Sequence, residues 1–187
     1  MFIEYEETPN PNTLKFIPGQ MVLEKGTRDY KNAEDAQHSP LALRLFGLAG
    51  VRGVFLSGHF VSVTRDDVTD WPMLQPMILT ALMEHFSTGQ PVLDEPESAP
   101  DASADDAEES EIDRQIKELL DTRVKPAVAM DGGNIEFVEF DDGVVYLRME
   151  GACAGCPSST QTLKHGIEEL LKHFIPEVER VEQEAAF

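Results

Sequence analysis

The feature that most constrains this chain is a stretch that cannot bury itself. From Val92 to Glu111 it reads VLDEPESAPDASADDAEESE, with nine acids, no bases and two prolines. After Leu93 there is almost no large apolar side chain, so burial cannot offset an ordering cost of roughly 1–2 kcal/mol per residue. Like charges favour an extended tether. Two small α+β domains are therefore expected, residues 1–88 and 112–187, joined by a flexible acidic linker over 89–111. No internal repeat relates them.

Charge and hydropathy narrow the function classes. The 187 residues carry 15 Lys+Arg against 35 Asp+Glu, a net charge of -20. The acidic stretch holds -9 of this, leaving -4 for residues 1–91 and -7 for residues 112–187. General nucleic-acid binding needs cations to replace phosphate counterions, so no nucleic-acid partner is expected. No run approaches the ~20 apolar residues that span a bilayer, so no membrane partner is expected either. The first thirty residues lack a basic segment followed by an apolar one and are too acidic for a transit peptide. A soluble, intracellular protein is the expectation.

In the first domain, FIEYEE alternates as a half-buried strand should, and PNPNTLKF breaks it at Pro9 and Pro11. Ser39-Pro40 signals a helix start, Leu41, Leu45 and Leu48 give it an apolar stripe, and Gly50 is placed to stop it. Residues 51–64 read as a hairpin around Ser57-Gly58. Asp70-Trp71-Pro72 opens a second helix striped by Leu74, Ile78, Leu82 and Phe86. His59 has no ligating neighbours in sequence and reads as an ordinary histidine. Trp71 reads as a core anchor, and Met73, Met77 and Met83 as packing residues.

The second domain carries the chemistry. Ile112, Ile116, Leu119, Leu120 and Val124 form a helical stripe that Pro126 should end or kink. Asp131-Gly132-Gly133-Asn134 is a turn, NIEFVEF and VVYLRME are strands joined across Asp141-Asp142-Gly143, and Leu163, Ile167, Leu170, Leu171 and Phe174 stripe a helix that stops before Pro176. EVERVEQE closes the domain as an edge strand. His165 and His173 read as solvent-facing, and Asp141 and Asp142 as turn residues rather than catalysts.

Between the second strand and the helix lies GACAGCPSST, which contains both cysteines of the chain, Cys153 and Cys156. Small Ala154 and Gly155 let the two sulfurs converge. The free N–H groups and positive end of the following helix should lower the thiol pKa values. Three uses compete: thiol–disulfide exchange, half of a zinc site, and half of an iron–sulfur site, which takes four thiolates. A buried pair without cofactor is the fourth, disfavoured because glycine and serine neighbours should not build an apolar pocket.

The longer strings go further. KPAVAMDGGNIEFVEFDDGVVYLRMEGACAGCPSSTQTLKHGIEELLKHFIPEVERVE resembles the C-terminal domain of NifU, and TPNPNTLKFIPG, HSPLALRLFGLAGV, VFLSGHFVSVT and the DW-x-x-L-x-P-x-IL stretch resemble the N-terminal domain of the Nfu iron–sulfur scaffold and carrier family. The resemblance implies a non-enzymatic protein that binds a 4Fe–4S cluster between two subunits and passes it to apo-proteins. It implies Cys153 and Cys156 of each protomer as the cluster and metal ligands, a homodimer when loaded, and upstream iron–sulfur assembly proteins as donors. Gly151, Gly155, Pro157, Ser158 and Ser159 would shape the loop without ligating. Longer NifU proteins have extra cysteine-bearing domains, so a late carrier is implied rather than a primary scaffold. The absence of a basic presequence favours a bacterial cytosol; a processed form would fit the mitochondrial matrix.

Overall fold

Five short strands and two helices account for the first unit. The computed structural model describes residues 2–94 and 110–184, which fall into two compact units, one in each half of the chain. Strands β1 (Glu4–Glu7), β2 (Thr13–Ile17), β3 (Arg28–Tyr30), β4 (Val51–Leu56) and β5 (Val61–Arg65) form one antiparallel sheet in the order β1-β2-β5-β4-β3. The register sets Leu14 opposite Val63, Phe16 opposite Val61, and Val54 and Leu56 opposite the same two valines. Period-two alternation therefore puts all six on one face. Helices α1 (Pro40–Phe46) and α2 (Trp71–Thr88) add Leu41, Leu45, Leu74, Ile78 and Leu82 to the same core.

Several local expectations need correction. β1 is an edge strand with all four residues exposed, so FIEYEE is not half-buried. PNPNTLKF does not merely break a strand: its turn residues run straight into β2, whose own pattern is only Leu14 and Phe16. β3 is three residues long and paired to β4 alone, too short to leave a periodic signal. α1 ends at Phe46 and is capped at Gly47, before Gly50. Gly50, at φ 102°, instead turns the chain into β4, and a Cβ there would crowd Thr69 at 2.5 Å. Met73, Met77 and Met83 are exposed rather than packed.

Other readings hold. Ser39 caps α1, its hydroxyl accepting from the Ala42 N–H at 3.2 Å. The same hydroxyl donates to the Val92 carbonyl at 2.7 Å, and the Asp94 N–H donates to the His38 carbonyl at 2.9 Å. With Val92 and Leu93 packed on the core, the stretch expected to be linker from 89 is folded chain as far as Asp94. The expected extended state of the rest of the tether lies outside the described residues. Trp71 packs partly against the core and donates to the Pro11 carbonyl at 2.9 Å. His59 is exposed.

His85, on α2, was not singled out by sequence. Its side chain is fully buried, its ring meets Phe86 edge-on at 5.5 Å, and neither ring nitrogen makes a hydrogen bond of good geometry among the described residues. Burial, helped by the Arg44 charge, holds its pKa below the ordinary 6.5, although backbone groups at Gln90 and Pro91 oppose the shift. The unfolded chain thus binds a proton below about pH 6.5 that the folded chain binds only at lower pH. The contribution is complete above about pH 6.5 and is lost as pH falls toward the depressed folded value. Thermal unfolding between pH 7 and 5 should show the first unit losing stability on acidification, with a visibly flatter profile in His85→Leu.

The first helix of the second unit starts at Glu111, one residue ahead of the expected boundary. Ser110 caps α3 (Glu111–Leu119), its hydroxyl accepting from the Asp113 N–H at 3.1 Å while the Asp113 carboxylate accepts from the Ser110 N–H at 3.0 Å. A π-helical turn, Leu120–Val124, then leads directly into α4 (Lys125–Met130). The regular α-helical pitch thus changes just ahead of Pro126, which sits in the first turn of α4, in keeping with an end or kink near Val124. The widened turn lets the Lys125 N–H reach the Leu120 carbonyl, so the missing proline N–H falls where the pitch has already changed.

Strands β6 (Gly133–Asp141) and β7 (Val144–Gly151) form the expected hairpin, turning at Asp142 (φ 45°) and Gly143 (φ 81°). Both positive values suit a two-residue type I′ connection. β8 (Arg180–Gln183) adds parallel to β7 at the edge, and α5 (Pro157–Phe174) precedes it. Ile135, Val145, Leu147, Met149 and Val181 from the sheet meet Ile116, Leu120, Val128, Ile167 and Leu171 from the helices. Phe174, expected on the core stripe, is 46% exposed because it lies in the last turn of α5.

Candidate functional site

The hairpin carries the cysteine loop at its open end. Gly133 begins β6 directly opposite Gly151, the last residue of β7. Gly151 (φ 63°) and Gly155 (φ 82°) adopt left-handed backbone on either side of Cys153, so the chain reverses where other residues would be strained. The Ala152 N–H donates to the Gly132 carbonyl at 3.2 Å, and the Ala154 N–H donates to the Gly151 carbonyl at 3.1 Å. Thr160 closes the far side: its hydroxyl donates to the Cys153 carbonyl at 2.8 Å and its N–H to the Cys156 carbonyl at 2.9 Å.

The two thiols have different surroundings. Cys153 is buried in the second core, while Cys156 is half-exposed at the N-cap of α5; neither is in a disulfide. Gly133 packs against Cys153: a Cβ on Gly133 would overlap the Cys153 sulfur and come within 2.8 Å of the Glu150 carbonyl oxygen. Two expectations fail here. The pocket at Cys153 is apolar, because the loop folds that side chain back onto the sheet. Its thiol is also not acidified. Burial first, then the negative charge of Asp131, pushes the Cys153 pKa up to about 12. The helix start lies at Cys156 instead, so its positive end does not offset the desolvation of Cys153.

Other candidates fall away as metal ligands. His165 is exposed and lies 3.4 Å from Glu169, and His173 is exposed with its ring edge-on to Phe174. Among the described residues, no group of three or more His, Cys, Asp or Glu side chains is arranged to hold a metal ion. The side chains of Pro157, Ser158 and Ser159 lie outside the described part. Sequence reading missed Asp131 as a charge near the thiol, Thr160 as the tie, and the role of Gly133. Only the Gly132-Gly133 pair gives a signal in the sequence, and there it reads as turn chemistry.

Comparison with known proteins covers both units. A family model described as the NifU-like domain matches residues 116–182, and one described as scaffold protein Nfu/NifU N terminal matches residues 3–89. The human protein named NFU1 iron-sulfur cluster scaffold homolog, mitochondrial, is 46% identical over 184 residues, covering 98% of this chain and 72% of that protein. This chain belongs to the Nfu/NifU scaffold family. An Arabidopsis thaliana relative of this Nfu chain, NifU-like protein 4, mitochondrial, is 48% identical over 187 residues, covering 98% of this chain and 66% of that protein. Both names place those relatives in mitochondria, so the expected bacterial cytosol finds no support among them. A solution NMR structure of a NifU-like protein from Saccharomyces cerevisiae aligns at a TM-score of 0.47 and 24% identity, covering 51% of this chain and 87% of that one. Among the described residues of the Nfu chain, no helix is long and apolar enough to cross a membrane.

Proposed function

We propose that this chain is a non-enzymatic iron–sulfur cluster carrier, in which Cys153 and Cys156 of two copies hold one 4Fe–4S cluster that is passed to apo-proteins. The observation that carries the reading is the incomplete donor set. Two thiols share one short loop, and no further convergent ligand stands beside them among the described residues. A cluster that takes four thiolates therefore needs a second source, and another copy brings an identical pair. The name of the human relative, an iron–sulfur cluster scaffold homolog, supports the same cargo.

Loading and release are ligand exchanges. Each cysteine gives up its thiol proton as its sulfur binds iron. On delivery, an incoming client thiol binds iron as its thiolate and a proton returns to the departing cysteine. No general acid or base is required. Cys153 would turn out of its apolar pocket to ligate and turn back on release. The upstream assembly proteins and the clients are its partners, and the mitochondrial matrix is its compartment, a reading supported by the word mitochondrial in the relatives' names.

Mössbauer spectroscopy of the anaerobically iron-loaded protein, read beside its mass in solution, tests this. A 4Fe–4S signature at one cluster per dimer is expected. Zinc without acid-labile sulfide would replace the reading with a zinc-linked adaptor, and a complete cluster on a monomer without added thiol would overturn it.

A further inference from the structure

We infer that the groove between α4 and α5 receives a second copy of this chain, so that one apolar face brings the two cysteine loops together. The inference rests on the carrier reading above and names the surface that the pairing uses. The groove measures about 320 Å³, and Val124, Ala127, Leu163, Ile167 and Leu170 are among its walls. It lies against the cysteine site: Asp131 lines it, and the next residue, Gly132, accepts the Ala152 N–H at 3.2 Å.

Gly166 is the independent observation. It lines the groove from within α5, where glycine is a poor helix former relative to alanine. A Cβ there would meet nothing within 4 Å. Nothing in the described residues therefore calls for glycine at this position. Bare backbone at an open apolar groove suits the close approach of another surface.

The occupant follows from symmetry. A two-fold contact joins a face to itself, so the face must carry both knob and hole. Met130, 75% exposed and next in sequence to the groove-lining Asp131, supplies a flexible apolar side chain that we place as the knob beside the groove. The groove also carries one cation, Arg123, and one anion, Asp131, so a two-fold contact can set opposite charges together. A groove of this size takes a few side chains, short of the roughly 800 Å² per partner that a standard interface buries. It should orient a pair that the shared cluster then holds, leaving the unloaded chain monomeric.

Gly166→Leu fills the groove from its own wall, and Met130→Glu places a charge on the knob at an exposed position; each is to be compared with wild type by solution mass after anaerobic loading. Both variants should keep the wild-type far-ultraviolet spectrum and form at least fivefold less loaded dimer. Glutathione, supplying the missing pair of thiols, should restore iron binding on the monomer, showing that the cysteines are intact. Wild-type dimer yield in either folded variant overturns the groove assignment alone. Wild-type protein that loads as a monomer without added thiol overturns the carrier reading and the groove with it.

Discussion

Cys156→Ser is expected to reduce cluster loading to background, at least tenfold below wild type, without loss of fold. In a site shared by two copies each substitution removes two of the four sulfur donors, and a hydroxyl is a poor ligand for a soft iron–sulfur centre. The stability argument singles out this position over its partner. Cys156 is the N-cap of α5 and its side chain makes no cap hydrogen bond, whereas serine is among the best N-cap residues. The variant should therefore unfold at or above the wild-type temperature. Cys153→Ser is a less clean probe, because it places a hydroxyl in an apolar pocket at a cost of about 1–3 kcal/mol. Iron and acid-labile sulfide, measured per chain after anaerobic reconstitution, decide the matter. Wild-type loading of Cys156→Ser would remove it from the ligand set.

The second large effect concerns Gly133, which no ligand assignment includes. Gly133→Val should destabilise the second unit by roughly 3 kcal/mol, at the upper end of ordinary overpacking. The added Cβ would overlap the Cys153 sulfur and lie 2.8 Å from the Glu150 carbonyl oxygen and 3.0 Å from the Cys153 nitrogen. Two of those three atoms are backbone, so relief requires the β6–β7 pairing itself to open at its end. Gly155→Ala is the matched control: it also sits in the loop, at φ 82°, but a Cβ there would meet nothing within 4 Å. It should cost only the left-handed strain, about 1 kcal/mol. Urea unfolding followed by hydrogen exchange of β6 and β7 amides separates the two. Equal losses in both variants would show that the contact with Cys153 carries no special weight.

How far the sequence alone reached depended on how local each signal was. Ser39-Pro40, Asp70-Trp71-Pro72 and Asp142-Gly143 state their geometry within a few residues, and helix starts and hairpin turn appear where those motifs put them. β3 left no trace because its three residues are strand only through pairing with β4. Pro126 marks the change near Val124, but its form, a π-helical turn leading straight into a second helix, is something periodicity cannot show. At the site, the spacing of Cys153 and Cys156 was legible, and the small residues between and beside them pointed to an open loop. Which sulfur faces the core was not. That depends on Gly133, distant in sequence and brought near only by the hairpin register. His85 was invisible for the same reason, since burial belongs to the packed molecule and not to the helix.

The burial of Cys153 has a consequence for the idle protein. Oxidants attack the thiolate, and a sulfur held neutral within the core presents little of it. An empty carrier with both thiols at the surface would be prone to close its own cystine and lose the ability to accept cargo. Under the proposed carrier role, that shielded sulfur would let the unloaded chain resist self-inactivation until iron binding drew the residue outward.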